Sequence, residues 1–349
     1  MSTLLDRPSP TVTLRTGRGP AIVWWAAAGA AVVAFQLYLY ARWLSSGAAT
    51  ATPRPSMPGH IATSAVLLQI VGLAALVVFG WLFVVRPWRR DHRLGGDGLL
   101  MLAYLTCFWQ DLGSNYLHYW VVYNPAWVNL GSWYEFIPGW VPPLGNTQPA
   151  PLLFFLPMYP VIGFGFTLIG CAALRRAEAR WGSGGSPASP EAKRLSPLRR
   201  FAVAIVVLYA LDFVLEVAWL RIGVYSYTGV IPSLTLFGGH YYQFPIYIVV
   251  FWGTPWAALT CLRYARNDRG ETIVERGADR LNLSPRGRSA VRFLALAAAG
   301  NLAWLFFNVT GALTSTQTGQ WADDITNRPY FNYLCSAEAT YACPGGIAP

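Results

Sequence analysis

Three carboxylic acids stand where a water-soluble fold would rarely bury them. Asp212 and Glu216 lie one helical turn apart inside an apolar run over about 201–222, and Asp111 lies inside another, beside Gln110 and four residues before Asn115. At 3.6 residues per turn Tyr209, Asp212, Glu216 and Trp219 share one helix face, so two acids look into one space. In hydrocarbon an ionised carboxylate costs at least ~2.5–3.5 kcal/mol, and two neighbouring ones resist being charged together. One of the pair is therefore expected to hold a proton, which is what an acid–base catalyst working away from water needs. The structural alternative is an acid paired with Arg or tying two helices together. Two acids on one face, with no Lys or Arg near the middle of any apolar run, favour the functional reading.

Other polar and aromatic residues fall on stripes that could line the same interior. Asp111, Asn115 and His118 follow an i, i+4, i+7 course, continued by Tyr104 and Cys107. Gln110 and Asn115 would be hydrogen-bonding neighbours of Asp111, since polar groups in hydrocarbon need partners or a substrate. A lone His near the end of a span is more often an interfacial residue than a catalyst. Asn301, Trp304 and Asn308 share a stripe of a later run, and Tyr241 and Tyr242 sit in an aromatic loop. The stretch 123–150, dense in Trp, Gly and Pro and carrying Trp133 and Glu135, reads either as an aromatic belt at the headgroup level or as a lid. Catalytic candidates are Asp111, Asp212 and Glu216. Substrate-binding candidates are Gln110, Asn115, His118, Tyr209, Trp219, Tyr241, Tyr242, Asn301, Trp304, Asn308, Trp133 and Glu135.

The elements that position these residues are read from composition. The chain has 349 residues, 54% hydrophobic and only 12% charged, with 16 Trp, so a soluble globular class is excluded. Seven runs are long enough to span a bilayer: 21–44, 62–85, 98–122, 152–174, 201–222, 244–262 and 290–313. The expected fold is an all-α polytopic membrane protein of about seven transmembrane helices, forming a single integral domain over 1–349. Residues 1–20 are a leader, 175–200 a flexible basic linker and 314–349 a tail. The first run is too long for a cleaved signal peptide and lacks a small-residue cleavage site.

Arg and Lys concentrate before the first run and after the second, fourth and sixth. The positive-inside rule makes these alternate loops cytoplasmic, with the amino terminus inside and the carboxyl terminus outside, in a multi-pass cell-membrane protein. The same bias explains the formal charge of +10 through contact with anionic lipid, so no nucleic-acid partner is implied. Cys335 and Cys343 fall in the outer tail, where an oxidising compartment permits a disulfide. No phosphate-binding Gly-rich loop, His-Glu-x-x-His, Gly-x-Ser-x-Gly or CxxC occurs, and no metal or cofactor is expected.

Taken in order, several strings resemble the membrane spirocyclase family of avermectin-type macrolide biosynthesis over most of the chain. They are Val-Arg-Pro-Trp-Arg-Arg at 85–90 with Asp-Gly-Leu-Leu-Met at 97–101, then Gln110, Asp111 and Asn115, then Tyr123-Asn124 through Gly-Ser-Trp at 131–133 to Ile-Pro-Gly-Trp at 137–140. Asp212 with Glu216, Tyr241-Tyr242, Leu-Arg-Tyr at 262–264, Asp-Arg-Gly at 268–270, Glu-Arg-Gly at 275–277, Tyr330-Phe331, Cys335 and Cys343 follow. The leader, the first outer loop and the Gly/Ser linker depart from the pattern. The resemblance implies closure of a spiroketal from a dihydroxy-ketone polyketide, with some members also dehydrating the product.

Joined to the residues, it gives an expected mechanism. The coupled pair Asp212 and Glu216 supplies the proton that expels water, an oxocarbenium ion forms, and ionised Asp111, held by Gln110 or Asn115, steadies the cation and accepts the last proton. The partners are a hydrophobic small molecule and the bilayer, and no cofactor is needed. Two other readings use the same residues: a membrane terpene or meroterpenoid cyclase protonating an alkene or epoxide, and a non-catalytic carrier of a lipid-like metabolite with the acids as a proton relay.

Overall fold

Long apolar runs have no water to satisfy their backbone polar groups and close those hydrogen bonds on themselves, so helices dominate. The computed structural model describes residues 21–182, 195–319 and 321–332; Cys335 and Cys343, and the disulfide expected between them, lie outside these. The chain begins with α1 (Ala21–Ser45) and α2 (Gly59–Gly80), which passes through a π turn at Trp81–Val85 into α3 (Arg86–Asp91). Next come α4 (Gly96–Leu105), a 3-10 helix at Phe108–Asn115 and the short strand β1 (Val121–Tyr123). After α5 (Leu152–Pro157), a second π turn at Met158–Gly163 leads into α6 (Phe164–Trp181). Pro157 and Pro160 there remove backbone donors, and the ladder loosens into the π turn. The chain continues through α7 (Pro197–Arg221), β2 (Tyr225–Tyr227), β3 (Thr235–Leu236), β4 (Phe244–Pro245), α8 (Ile248–Tyr264), α9 (Pro285–Ser315), α10 (Asp323–Thr326) and α11 (Pro329–Asn332). Ser196 and Ser284 start α7 and α9 by accepting from the N–H of Arg199 and Gly287, each followed by Pro at the first helical position.

Five helices are long and apolar enough to cross a membrane: α1, α2 with α3, α5 with α6, α7 and α9. The seven spans expected from the sequence are reduced at two places. In 98–122 the α-helix stops at Leu105, and the polar string Gln110-Asp111-Leu112-Gly113-Ser114-Asn115 winds as a 3-10 helix. Asn115 then turns the chain into β1 by accepting from the N–H groups of Trp120 and Val121 at 3.1 and 3.2 Å, a side-chain bond that replaces the helical ladder. In the sixth run, 244–245 pair as a strand with 235–236, leaving α8 only 17 residues. The linker expected over 175–200 is also shorter, because α6 continues through Arg175, Arg176 and Arg180.

Loops grouped together by charge meet one another. At the basic end Asp97 binds Arg263 and Arg266 at 2.7 and 2.5 Å, and Glu178 binds Arg200 at 2.8 Å and the Tyr264 hydroxyl at 2.7 Å. At the other end Thr52 bonds Asn129 at 3.1 Å, and Asp324 accepts from the Tyr241 N–H at 2.8 Å. The described part of the tail folds back there, with Trp321, Ile325, Tyr330 and Phe331 packing against Ile61, Tyr119 and Val122. Burial raises the Asp324 carboxyl, but the Tyr241 N–H and the Arg328 guanidinium outweigh it and hold the group below the usual carboxylate range.

Helix α9 is the central wall, packed against α1, α4, α8 and the 3-10 helix. Its approach to α1 depends on Gly29, where a Cβ would stand 1.9 Å from the Leu294 carbonyl oxygen.

Candidate active site

The acids are joined by a small two-stranded sheet. β1 and β2 pair antiparallel with Val121 opposite Tyr227 and Tyr123 opposite Tyr225. Side chains alternate along a strand, so Tyr123, Tyr225 and Tyr227 share one face. Their rings lie close, 5.3 Å between Tyr123 and Tyr225 and 5.6 Å between Tyr225 and Tyr227. Tyr123 donates to Asp111 Oδ2 at 2.9 Å, and Tyr227 donates to Glu216 Oε2 at 2.9 Å. The π turn brings a third tyrosine, Tyr159, which donates to Asp111 Oδ1 at 2.8 Å. Tyr225 reaches toward Glu216, but its buried hydroxyl makes no hydrogen bond of good geometry.

Asp212 differs from the other two acids. It is fully buried, and neither carboxyl oxygen has a hydrogen-bond donor among the described residues. Its neighbour one turn on is Glu216, and Asp111 lies within Coulombic reach of Glu216. An unpartnered buried carboxyl is costly, and such groups persist where a function needs them. Aromatic rings pack around the acids. Trp219 meets Phe154 at 5.3 Å, Trp304 meets Tyr159 at 5.1 Å, and Trp252 meets Trp304 at 4.7 Å.

The sheet is fastened to the end of α7. Asn124 donates from Nδ2 to the carbonyl oxygens of Gly223 and Val224, and Trp127 donates from Nε1 to Val224 at 3.0 Å. The reversal from α7 into β2 runs through Gly223 at φ 72°, a left-handed conformation that glycine takes without strain.

Of the predicted residues, Asp111, Asp212, Glu216, Trp219 and Trp304 come together. Gln110 and Asn115 do not hold Asp111; tyrosines do. Three residues per turn place Asp111 and Asn115 about 120° apart, so the stripe drawn for an α-helix separates. Gln110 instead bonds Asn301 and Asn308 on the far side of the 3-10 helix, and Asn115 serves the β1 turn. Tyr209 turns away from the acids to bond Thr254 of α8 at 2.7 Å. His118 is partly exposed in the bend after the 3-10 helix, and Glu135 is exposed. Trp133 is buried against Tyr40 and Trp43 of α1 and donates to the Trp109 carbonyl at 2.9 Å. Tyr242 lies under the Arg221 guanidinium at 3.8 Å, and Tyr241 donates to the Arg221 carbonyl at 2.9 Å, both at the end away from the basic loops. Within the stretch 123–150, Trp127, Trp133 and Tyr134 are fully buried, while Val128, Leu130 and Val141 are exposed.

The sequence reading missed Tyr123, Tyr159 and Tyr227 as partners of the acids. One signal was present: Tyr225-Ser226-Tyr227 alternates with the period of a strand.

Two open clefts of about 250 and 430 Å³ lie on the other side of the 3-10 helix, sharing Trp109, Gln110 and Leu305 as walls; the three acids line neither. Among the described residues no three His, Cys, Asp or Glu side chains gather closely enough to hold a metal ion. The arrangement is thus a dry, aromatic-walled set of acids, two of them held by tyrosine hydroxyls, suited to moving protons and sheltering a cation.

No curated protein and no solved structure matches the chain. A family model does: the one described as spirocyclase AveC-like matches residues 88–331, a range that holds all three acids and every tyrosine that binds them, and the chain belongs to that family.

Proposed function

We propose that the protein closes a spiroketal from a dihydroxy-ketone polyketide by acid–base catalysis at the cluster of Asp111, Asp212 and Glu216. The observation that carries this is the contrast among the acids: Asp212 has no donor, whereas Asp111 accepts from two tyrosines and Glu216 from one. A carboxyl with no donor is suited to hold a proton, and one with two donors gives its proton up more readily. One substrate hydroxyl adds to the ketone to give a hemiketal. The Asp212–Glu216 pair protonates the hemiketal hydroxyl, water leaves, and an oxocarbenium ion forms. The second hydroxyl attacks that cation and gives its proton to Asp111, so that one keto-diol yields one spiroketal and one water. Return of the proton to the pair across the tyrosine face resets the site. Charged Asp111 and the rings of Trp219 and Trp304 steady the cation. We confine the reading to ring closure.

The same reading treats α4 with its 3-10 helix, and α8, as the third and sixth of seven crossings. At about 1.5 and 2 Å per residue the third is roughly 31 Å long, enough for the hydrocarbon core.

The test is reconstitution in lipid nanodiscs with a synthetic keto-diol, followed by chiral chromatography. The expected result is one spiroketal epimer, formed faster than in empty nanodiscs and lost in Asp111→Asn and Glu216→Gln. An epimer ratio equal to that of empty nanodiscs would refute the proposal.

A further inference from the structure

The clefts beside the 3-10 helix have a polar floor with a direction. Asn301 Nδ2 donates to Thr106 Oγ1 at 2.9 Å, and Asn301 Oδ1 accepts from Gln110 Nε2 at 2.8 Å. Gln110 Oε1 in turn accepts from Asn308 Nδ2 at 3.3 Å, and that same nitrogen donates to the Trp304 carbonyl at 3.0 Å. Each amide thus has its oxygen and nitrogen fixed by the one before it. Flipping Asn301 or Gln110 would set donor against donor, and flipping Asn308 would set its oxygen against two acceptors, Gln110 Oε1 and the Trp304 carbonyl. The ladder therefore ends in a definite group, Asn308 Oδ1, which is an acceptor and has no donor.

Asn308 is 7% exposed, so water does not freely serve this oxygen. A lost donor in such a place costs about as much as a hydrogen bond to neutral groups contributes, or more. Asn308 and Gly113 both line the smaller cleft, and Gly113 has no side chain to cover the oxygen; a Cβ there would stand 2.7 Å from it. Gln110 and the Tyr116 hydroxyl, which also line it, are already bonded, to the two asparagines and to the Pro138 carbonyl, and Leu305 and Val309 on the same stretch of α9 are each 48% exposed on a helix apolar enough to cross a membrane. The cleft therefore opens toward lipid. Its chemistry calls for a hydrophobic molecule that carries an O–H donor.

We infer that this cleft is a bilayer-facing docking site in which Asn308 Oδ1 accepts a hydrogen bond from a hydroxyl of the open-chain polyketide. The identity of the alcohol rests on the cyclase reading; the site itself does not. A ketone or ether at the same place has no proton to give and is not held, so the site distinguishes the open hydroxylated chain from the closed spiroketal, which has lost both reacting hydroxyls. Gln110 is the peptide neighbour of Asp111, so docking and chemistry lie on opposite faces of one 3-10 helix.

The experiment uses the full chain in nanodiscs and two photoreactive probes, a diazirine-bearing long-chain hydroxy ketone and its deoxy counterpart, with labelled peptides mapped by mass spectrometry. The hydroxylated probe is expected to label 109–116 and 302–312 severalfold more than the deoxy probe, and Asn308→Leu to abolish that difference. Leu305→Trp, which narrows the cleft and leaves the ladder intact, is expected to lower labelling by both probes. Equal labelling by the two probes, or a difference that survives Asn308→Leu in a folded protein, would overturn the site. Competition by a diacylglycerol as strong as that by unlabelled hydroxy ketone would overturn the polyketide assignment in favour of a membrane lipid. Labelling needs no turnover, so a protein that labels as expected but forms no spiroketal refutes the cyclase reading and leaves the site standing.

Discussion

Tyr123 and Tyr225 face each other across the β1–β2 pairing with ring centroids 5.3 Å apart, and this is where the acid of the 3-10 helix meets the acids of α7. Neither helix supplies the other's hydrogen-bond partners. The link is made by six residues of strand, pinned at Asn124 and Trp127 to the end of α7. The geometry of the three acids therefore depends on a loop-borne element, and variants of that element are informative.

Tyr123→Phe and Tyr159→Phe each remove one donor from Asp111. A hydrogen bond to a charged group contributes about 1.5–3 kcal/mol, so cyclisation is expected to slow by roughly 10- to 100-fold in each case. Tyr227→Phe removes the donor to Glu216 and is expected to act similarly. Initial rates of keto-diol consumption in nanodiscs check this. Unchanged rates in all three folded variants would show that the tyrosines serve packing alone.

Asp212→Leu separates catalysis from stability. It replaces a buried carboxyl lacking any donor with an apolar side chain, so the thermal midpoint in detergent is expected to rise. Turnover is expected to fall by about 10²- to 10⁴-fold, the usual contribution of a general acid. A lower midpoint would mean that Asp212 holds the helices together.

Asn124→Ala leaves the Gly223 carbonyl, and the Ala126 N–H that bonds Asn124 Oδ1 at 2.8 Å, without their partner, while the Val224 carbonyl keeps the Trp127 indole. A loss of about 1–3 kcal/mol is expected. Since the substitution loosens the tyrosine sheet without touching an acid, the product should also shift toward the epimer mixture of the uncatalysed reaction. Chemical denaturation and chiral chromatography measure the two effects.

Asp324 gives a pH dependence at the end away from the basic loops. Its folded pKa is depressed, burial being outweighed by the Tyr241 N–H and Arg328, so its contribution is present above the unfolded value of about 3.9 and is lost as pH falls through the folded value. Amide exchange in 321–332, corrected for intrinsic rate, is expected to rise below about pH 3.9. Asp324→Asn should show fast exchange across the range with no such step.

The helices and the acid pair of α7 were legible because hydropathy and a 3.6-residue period are local properties. Asp212 and Glu216 lie on the buried face that their spacing implied. The partners of the acids were not legible, because Tyr123 and Tyr159 reach Asp111 from β1 and from a π turn, through packing that no local pattern encodes. The stripe through Asp111, Asn115 and His118 failed for a definite reason. It assumed 3.6 residues per turn where the chain winds at three, and side chains three apart then eclipse. Gln110, Gly113 and Tyr116 accordingly line one cleft together, while Asp111 turns to the tyrosines.

That three-residue winding makes the segment 108–115 sensitive to length rather than to composition. Adding or deleting one residue between Cys107 and Gln110 would rotate everything after it by about 120°, carrying Asp111 away from Tyr123 and Tyr159 and turning its neighbours toward them. Many single substitutions there leave the acid where it is, whereas no single insertion or deletion does. The lineage of such a protein should vary this stretch by exchange of letters and hold its count of residues fixed.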